Sequence, residues 1–245
     1  MNRAFRQLRK VSRLCLAFHK AFRESGTLVS PIERALWQQR QARRMLAALD
    51  VEVTVSGTLP GGGMVICNHL GYLDVLVIAA HGPAVFVSTT AVRKWPIIGQ
   101  LLERAGAILA ERGNPRSAGK TAAEISEALA NGLPVILFPE GTSSDGSGVL
   151  PFKPTLLQAA LDSRSEVWPA AIIYEAAGGD AATDMCYWGE AVFLPHIIRL
   201  AGLNRASAWL AFGEAIPRFD DRKEAAKRLH SEVCILLEGL KSGKQ

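Results

Sequence analysis

The spacing of apolar and polar side chains divides the chain into two parts. In residues 3–23, apolar side chains recur every three or four positions and basic side chains occupy the other face, which predicts an amphipathic helix. The run Ser30-Pro31-Ile32-Glu33 has the sequence of a capping box with proline at the first helical position, and it predicts a second helix that ends near Leu49. Residues 1–49 are therefore expected to form a helical hairpin.

Further along the chain, short apolar segments alternate with helical ones. Strands are predicted at Val51–Val55, Met64–Cys67, Ala84–Ser88, Gly106–Ala110, Leu133–Phe138, Val167–Tyr174, Met185–Trp188 and Ser207–Phe212. Helices are predicted at residues 73–80, from Asn114-Pro115 to Asn131-Gly132, at Lys153–Ser163 and from Asp220 onward. This alternation predicts a layered α/β domain over residues 50–245, with a mostly parallel sheet and flanking helices. Ligands of such sheets bind beyond the carboxyl ends of the strands, so we expect the chemistry in the loops that follow strands.

Charge is concentrated at the beginning of the chain. The net charge is +5, yet residues 1–49 carry eleven Lys and Arg against two Glu, so the remainder is net negative. A basic segment of this kind predicts an anionic partner, which could be a membrane surface, a nucleic acid or an acidic carrier protein. We expect the hairpin to dock on an anionic membrane, with apolar side chains toward the acyl chains and basic ones toward the headgroups. The alternative is a helix that packs on the domain with its basic face in solvent. Few aromatic side chains accompany the basic ones, which argues against a nucleic acid.

The composition narrows the class of protein further. Hydrophobic residues make up 49% of the chain, enough for a sizeable core, but no apolar run approaches the roughly 20 residues of a membrane span. Arginines interrupt each apolar stretch near the N-terminus, so no signal peptide is expected, and we predict a peripheral membrane protein on the cytoplasmic face. The four cysteines form no CxxC pair, which argues against a disulfide framework or a zinc site. Tyr187 and Trp188 are expected in the core, and His196 is expected to be a structural or surface residue.

The first candidate site follows the predicted strand Met64–Cys67. It contains His69 and Asp74, whose separation of five residues corresponds to about 140° on one helix. The two side chains can meet only if His69 lies in the loop and Asp74 in the first turn of the next helix, and Gly71 permits such a bend. A carboxylate on one imidazole nitrogen leaves the other free to accept a proton from an alcohol. This dyad suits direct attack by a substrate hydroxyl on an activated acyl group. The alternative is that His69 is a helix N-terminal residue without a catalytic task.

The second candidate site, Phe138–Ser144, also follows a buried strand. Gly141 lets the backbone approach a ligand closely, and the hydroxyl residues after it offer donors for a phosphate or an oxyanion. Glu140 can organise the loop or accept a hydrogen bond from a substrate hydroxyl. The alternative is a polar turn capped by serine and threonine.

Together the two sites resemble the glycerolipid acyltransferase family, typified by 1-acyl-glycerol-3-phosphate acyltransferase. That family carries an Asn-His-x₄-Asp block, a Gly-x₅-Arg block, Phe-Pro-Glu-Gly-Thr and a strand that contains proline, in this order. The corresponding segments here are Asn68–Asp74, Gly106–Arg112, Phe138–Thr142 and Val167–Ala170, and Lys153 resembles a basic residue that follows the third block. The resemblance covers about residues 50–215. The first and third blocks at this separation are specific enough to argue against a chance match.

The resemblance implies an acyl transfer to oxygen, on an α/β sheet domain with N-terminal helices that dock on the membrane. His69 would be the general base and Asp74 its orienting partner. They would activate a hydroxyl of a lysolipid acceptor for attack on the thioester of acyl-CoA or an acyl-carrier protein. The polar headgroup of the acceptor would be held by Arg112, Glu140, Gly141 and Thr142. No metal is expected, and no cofactor beyond the thioester co-substrate.

Two positions depart from the family pattern. Ser143 stands where arginine usually follows Glu-Gly-Thr, which removes one bidentate phosphate contact, and Leu109 stands where an aromatic residue is common. The acceptor can therefore be lysophosphatidic acid, a lysophospholipid with a larger headgroup, or an amino-acid lipid such as lyso-ornithine lipid. Two other classes stay open: a thioester or lipid hydrolase that uses the dyad with water, and a non-catalytic lipid-binding protein on the same scaffold.

Overall fold

The N-terminal hairpin has the predicted bounds. The computed structural model describes residues 2–95, 97–111, 115–158, 161, 165–216 and 219–243. Helix α1 (Arg3–Glu24) and helix α2 (Pro31–Leu49) are joined by a short 3₁₀ turn. The capping box at the start of α2 is confirmed, because the Ser30 hydroxyl accepts from the Glu33 N–H at 3.3 Å and the Glu33 carboxylate accepts from the Ser30 N–H at 2.9 Å.

Seven strands of the described chain form one sheet in the order β1-β7-β6-β2-β5-β3-β4. Their bounds are β1 Val51–Ser56, β2 Met64–Cys67, β3 Val85–Thr89, β4 Ile108–Ala110, β5 Val135–Leu137, β6 Val167–Ala177 and β7 Arg205–Phe212. Neighbouring strands run parallel except β6 and β7, which are antiparallel. The predicted mostly parallel sheet is confirmed. Strands β5 and β6 both flank β2 and run parallel to it. The loops after β2 and β5 therefore meet at the carboxyl end of the sheet, and the longer strand β6 extends beyond them.

Helices cover both faces of the sheet. The remaining helices are α3 Tyr72–Ala79, α4 Ile98–Arg104, α5 Pro115–Ala130, α6 Ala181–Asp184, α7 Phe193–Ala201 and α8 Arg222–Ser242. Successive side chains of β2 point to opposite faces, so Val65 enters the core beneath α2 and α3 while Ile66 enters the core beneath α5 and α8. A strand buried on both faces explains the uninterrupted apolar run of β2. No helix within the described ranges is both long and apolar enough to cross a membrane.

Some predicted elements are wrong or shorter than expected. Met185–Trp188 is not a strand, because the Met185 amide bonds to the last turn of α6 and the Tyr187 amide bonds to Leu70 O at 2.7 Å. The predicted helix Lys153–Ser163 begins instead as a 3₁₀ turn, Pro154–Leu157, and residues 159–160 and 162–164 lie outside the described chain. Helices α4 and α7 were not predicted, since each is short and has no side-chain cap.

Helix α1 turns two of its basic side chains, Arg6 and Lys10, toward the domain, which contradicts the expectation for these two, whereas Arg9, Lys20 and Arg23 are exposed as expected. Lys10 is buried and donates to Leu203 O at 3.2 Å, and Arg6 donates to Gly202 O at 3.2 Å. These carbonyls end α7, where cations are favoured by the helix dipole. Meanwhile Leu8 and Leu16 are 67% and 69% exposed. The apolar side chains of α1 therefore lie on two sides of the helix: Leu14 is buried against the domain, and Leu8 and Leu16 are exposed to solvent.

Candidate active site

His69 and Asp74 meet at the edge of the sheet beyond β2. His69 lies in the loop and Asp74 in the first turn of α3, and His69 Nδ1 is 2.7 Å from Asp74 Oδ2. Gly71 makes the bend between them, with a φ of 148°. A Cβ at this position would lie 2.7 Å from the Tyr187 Cβ, so both the backbone and the space require glycine.

Asp74 is completely buried and saturated with hydrogen bonds. Its Oδ2 also accepts from the N–H groups of Leu70 at 2.7 Å and Gly71 at 3.0 Å. Its Oδ1 accepts from the hydroxyl of Tyr174 on β6. These donors compensate for burying a carboxylate, and they fix the side that it presents to the imidazole.

Two participants in this network were missed from the sequence. Tyr174 is 100 residues from Asp74 along the chain, and nothing in its sequence context distinguishes it from a core tyrosine. Asn68 was noted as part of the first block without a role. Its side chain donates to Ile172 O at 3.0 Å and accepts from Ile172 N at 2.8 Å, which ties the start of the loop to β6.

Glu140 links the two candidate loops. Its carboxylate accepts from the N–H of His69 at 2.8 Å and from the N–H of Leu150 at 3.3 Å. Burial raises the pKa of Glu140 to about 7, although both N–H groups favour the charged form. The Phe138 ring stacks on the His69 imidazole with centroids 4.3 Å apart, and the Ser144 N–H donates to His69 O. The second loop thus holds the first one in place.

Two of the remaining predicted headgroup residues, Gly141 and Thr142, lie in the second loop. Thr142 is exposed, and a Cβ on Gly141 would lie 3.0 Å from Lys153 Nζ, so a cation stands against this turn. Ser143, which replaces the usual arginine, donates to Tyr187 O at 2.6 Å. Arg112 lies outside the described residues.

The comparisons with known proteins identify the family of the chain. A family model described as Acyltransferase matches residues 50–173. A lyso-ornithine lipid O-acyltransferase of Pseudomonas aeruginosa is 33% identical over 216 residues, which cover 87% of this chain and 83% of that protein. The chain belongs to the acyltransferase family.

Two further relatives bear on the fold and the family. A 1-acyl-sn-glycerol-3-phosphate acyltransferase of Neisseria meningitidis is 30% identical over 179 residues, covering 69% of each chain. The crystal structure of the 1-acyl-sn-glycerophosphate (LPA) acyltransferase PlsC from Thermotoga maritima superposes with a TM-score of 0.71 at 19% identity, and covers 98% of this chain and 97% of that one. The latter likeness shows the fold, and with it confirms the predicted α/β class with its helical hairpin.

The acyltransferase also has an apolar cavity beside the dyad loop. It lies between the hairpin and helices α3, α4 and α7, is partly open to solvent, and has a volume of about 100 Å³. Its lining includes Leu14, Phe18, Tyr72, Val75, Phe193 and Ile197. Tyr72 lies two residues before Asp74, so the cavity begins at the helix that carries the dyad carboxylate.

Tyr72 is fixed by a buried histidine. His196 Nε2 lies 2.9 Å from the Cys186 carbonyl, which can only accept, so Nε2 carries hydrogen and Nδ1 accepts from the Tyr72 hydroxyl at 2.8 Å. Burial lowers the pKa of His196 and keeps the ring neutral. His196 therefore has the expected structural role.

The expectation that Trp188 lies in the core is wrong, since this side chain is 43% exposed.

Proposed function

We propose that this acyltransferase moves a fatty acyl group from an acyl thioester, acyl-CoA or an acyl-carrier protein, to a hydroxyl of a lysophospholipid-type acceptor. The observation that carries the proposal is the contact of 2.7 Å between His69 Nδ1 and the buried Asp74 carboxylate. A base of this kind takes a proton from an alcohol without a nucleophile of its own. An acyltransferase for lyso-ornithine lipid or another amino-acid lipid is the alternative within the same chemistry.

The dyad accounts for each proton of the reaction. Asp74 accepts from the Nδ1–H of His69, so Nε2 is left with the lone pair that removes the acceptor hydroxyl proton. The oxygen attacks the thioester carbonyl, a carbon–oxygen bond forms, and the carbon–sulfur bond breaks. The imidazolium then returns its proton to the departing thiolate. Asp74 stabilises the imidazolium between the two steps.

The apolar cavity fits an acyl chain. Its lining is almost entirely aliphatic and aromatic, and it begins at Tyr72 in the helix that carries Asp74. Burying methylene groups there is favourable by roughly 0.8 kcal/mol each. Water excluded from such a cavity is also kept from the thioester, which favours transfer over hydrolysis.

We propose that the second loop binds the polar headgroup of the acceptor lipid. Thr142, Gly141 and Arg112 are proposed as contacts, with the Lys153 ammonium beside Gly141 as a further cation. Glu140 already accepts two backbone N–H groups, so we infer that it serves the acceptor by holding the His69 loop. Ser143 is engaged by Tyr187 and lacks the charge of arginine, which supports a headgroup other than a bare phosphate.

We also propose that the enzyme binds an anionic membrane surface, on the cytoplasmic face, as a peripheral protein. The outward side of α1 exposes Phe5, Leu8 and Leu16, and the outward side of α7 exposes Leu194 and Ile198. Helix α7 is unusual for a surface helix, because its inward face packs on the core and its outward face is apolar as well. Both faces fit insertion into the lipid interface beside the cavity.

Product analysis by mass spectrometry tests the reaction. The purified enzyme is mixed with acyl-CoA or acyl-carrier protein, a panel of lysolipids that includes lyso-ornithine lipid, and anionic vesicles, with His69→Ala as the matched variant. We expect a diacyl product that requires His69 and identifies the acceptor. Free fatty acid from the thioester without a diacyl product would instead indicate a hydrolase. Unchanged lipid binding in His69→Ala with no turnover by the wild type would indicate a non-catalytic lipid-binding protein.

Vesicle flotation tests the membrane surface. Leu194→Asp places a charge on the outward face of α7, and Ile235→Asp places one on α8 at a side chain that is equally exposed, 64% against 65%. We expect Leu194→Asp to weaken binding to anionic vesicles about tenfold and Ile235→Asp to leave it unchanged. Equal binding by both variants would remove α7 from the proposed surface.

A further inference from the structure

We propose that Tyr174 is a positioning residue that holds Asp74 in the orientation in which it serves His69. The proposal rests on the proposed function, since it assigns a role within the same dyad. Its basis is the hydrogen bond that the Tyr174 hydroxyl donates to Asp74 Oδ1, on the side of the carboxylate away from the imidazole.

The two oxygens of Asp74 have different partners. Oδ2 receives three donors, the His69 ring and the N–H groups of Leu70 and Gly71. Within the described chain, the recorded partner of Oδ1 is Tyr174 alone. The terminal torsion of an aspartate is broad, so the bonds to its two oxygens determine its rotation. Tyr174 therefore restrains the one oxygen that the dyad loop leaves free.

The environment of Tyr174 keeps it a donor. The side chain is buried, and burial together with the neighbouring Asp74 charge raises the pKa of Tyr174 well above its usual value. The phenol stays protonated throughout the range in which histidine works as a base. A hydrogen bond from a neutral donor to a charged carboxylate is among the stronger ones available inside a protein.

Strand β6 forms hydrogen bonds to the dyad loop at both of its ends, Asn68 and Asp74. The backbone of Ile172 holds the Asn68 amide through two hydrogen bonds, and two residues later Tyr174 holds Asp74. The backbone groups of Ile172 make their contacts in the plane of the sheet, and the Tyr174 side chain makes its contact from the face of the strand. The loop that bears His69 is thus clamped against β6 before and after the histidine.

Tyr174→Phe tests the role, because it keeps the ring and removes the hydroxyl. We expect kcat to fall about tenfold or more while KM for the thioester and for the acceptor changes less than threefold. Ile173→Val is the matched control on the same strand. It shortens a side chain that packs on the opposite face of the sheet from Tyr174 and contacts no part of the dyad loop, and we expect kcat within twofold of the wild type.

The tautomer of His69, read from imidazole ¹⁵N chemical shifts, gives a measurement that does not depend on turnover. We expect the Nδ1–H form in the wild type and in Ile173→Val, and a mixture of tautomers in Tyr174→Phe. Wild-type kcat and tautomer in Tyr174→Phe would overturn the positioning role. An equal loss in Ile173→Val would assign the effect to strand packing and would also overturn it. His69→Ala separates the two proposals, since an active His69→Ala enzyme refutes the proposed function itself.

Discussion

The dyad loop and the junction of α1 with the domain both hold a carboxylate among several donors, but they do so in different ways. Asp74 is completely buried and is bound by two backbone N–H groups, a phenol and the His69 ring. Asp50 is 36% exposed and is approached by Arg9 at 2.7 Å and Arg13 at 2.6 Å, with Lys10 at 3.8 Å.

The difference lies in the mobility of the donors. Backbone N–H groups in a tight loop cannot move away, so Asp74 keeps one orientation, which a catalytic dyad requires. The arginines at Asp50 are long, flexible and half in solvent, and such ion pairs contribute little to stability. Under the proposed function, the first region sets the geometry of the reaction, whereas the second attaches α1 to the end of α2.

Asp74→Asn is expected to have the largest effect. The asparagine side chain has only one oxygen, and its N–H₂ group cannot accept from the loop N–H groups or from the imidazole. His69 therefore loses the acceptor that fixes its tautomer. We expect kcat to fall about 10²- to 10⁴-fold, measured by steady-state acyl transfer. Asp50→Asn is the control, and its kcat should stay within twofold. Comparable losses in both variants would erase the distinction between the two regions.

Glu140→Gln should have an intermediate effect, about tenfold on kcat, since the amide keeps one acceptor for the two loop N–H groups. It also predicts a pH dependence. The raised pKa of Glu140, about 7 against 4.5, means that the protonated form is favoured in the folded state. Its contribution to stability is therefore complete below pH 4.5 and is lost as the pH rises through about 7.

Urea unfolding at a series of pH values measures this contribution. The wild type should lose free energy of unfolding relative to Glu140→Gln between pH 4.5 and about 7, and the difference should be constant above that range. A difference that does not vary with pH would show that the pKa of Glu140 is the same in the folded and the unfolded protein.

Lys10→Met should have the smallest effect. Burial lowers the pKa of Lys10, and the ammonium is satisfied by one carbonyl and a distant carboxylate. Replacing it with an apolar side chain of similar length should change the free energy of unfolding by about 1 kcal/mol or less, and activity not at all. Urea unfolding measures the change. A loss of several kcal/mol would show that the contacts of Lys10 are as important to the fold as the buried contacts of Asp74 are proposed to be to the reaction.

Local signals in the sequence were sufficient for most of the elements and for the first contact of the site. Proline after a capping serine defines the start of α2 whatever surrounds it, because the cap is satisfied within four residues. The five-residue spacing of His69 and Asp74 left one way for them to meet, and the loop and helix adopt it. The alternation of apolar strands with helices fixed the α/β class for a similar reason, since each pattern follows from local periodicity.

Tertiary structure decided which side each pattern faces and which distant residues complete the site. The periodicity of α1 marks two faces, but the carbonyls at the end of α7 bind Arg6 and Lys10, so this part of the basic face packs on the domain. Tyr174 reaches Asp74 only because β6 pairs with β2, and the sequence does not specify that pairing locally. Helical and strand periods are local properties of a chain, whereas burial and hydrogen-bond partners depend on strand order, and only the folded sheet establishes it.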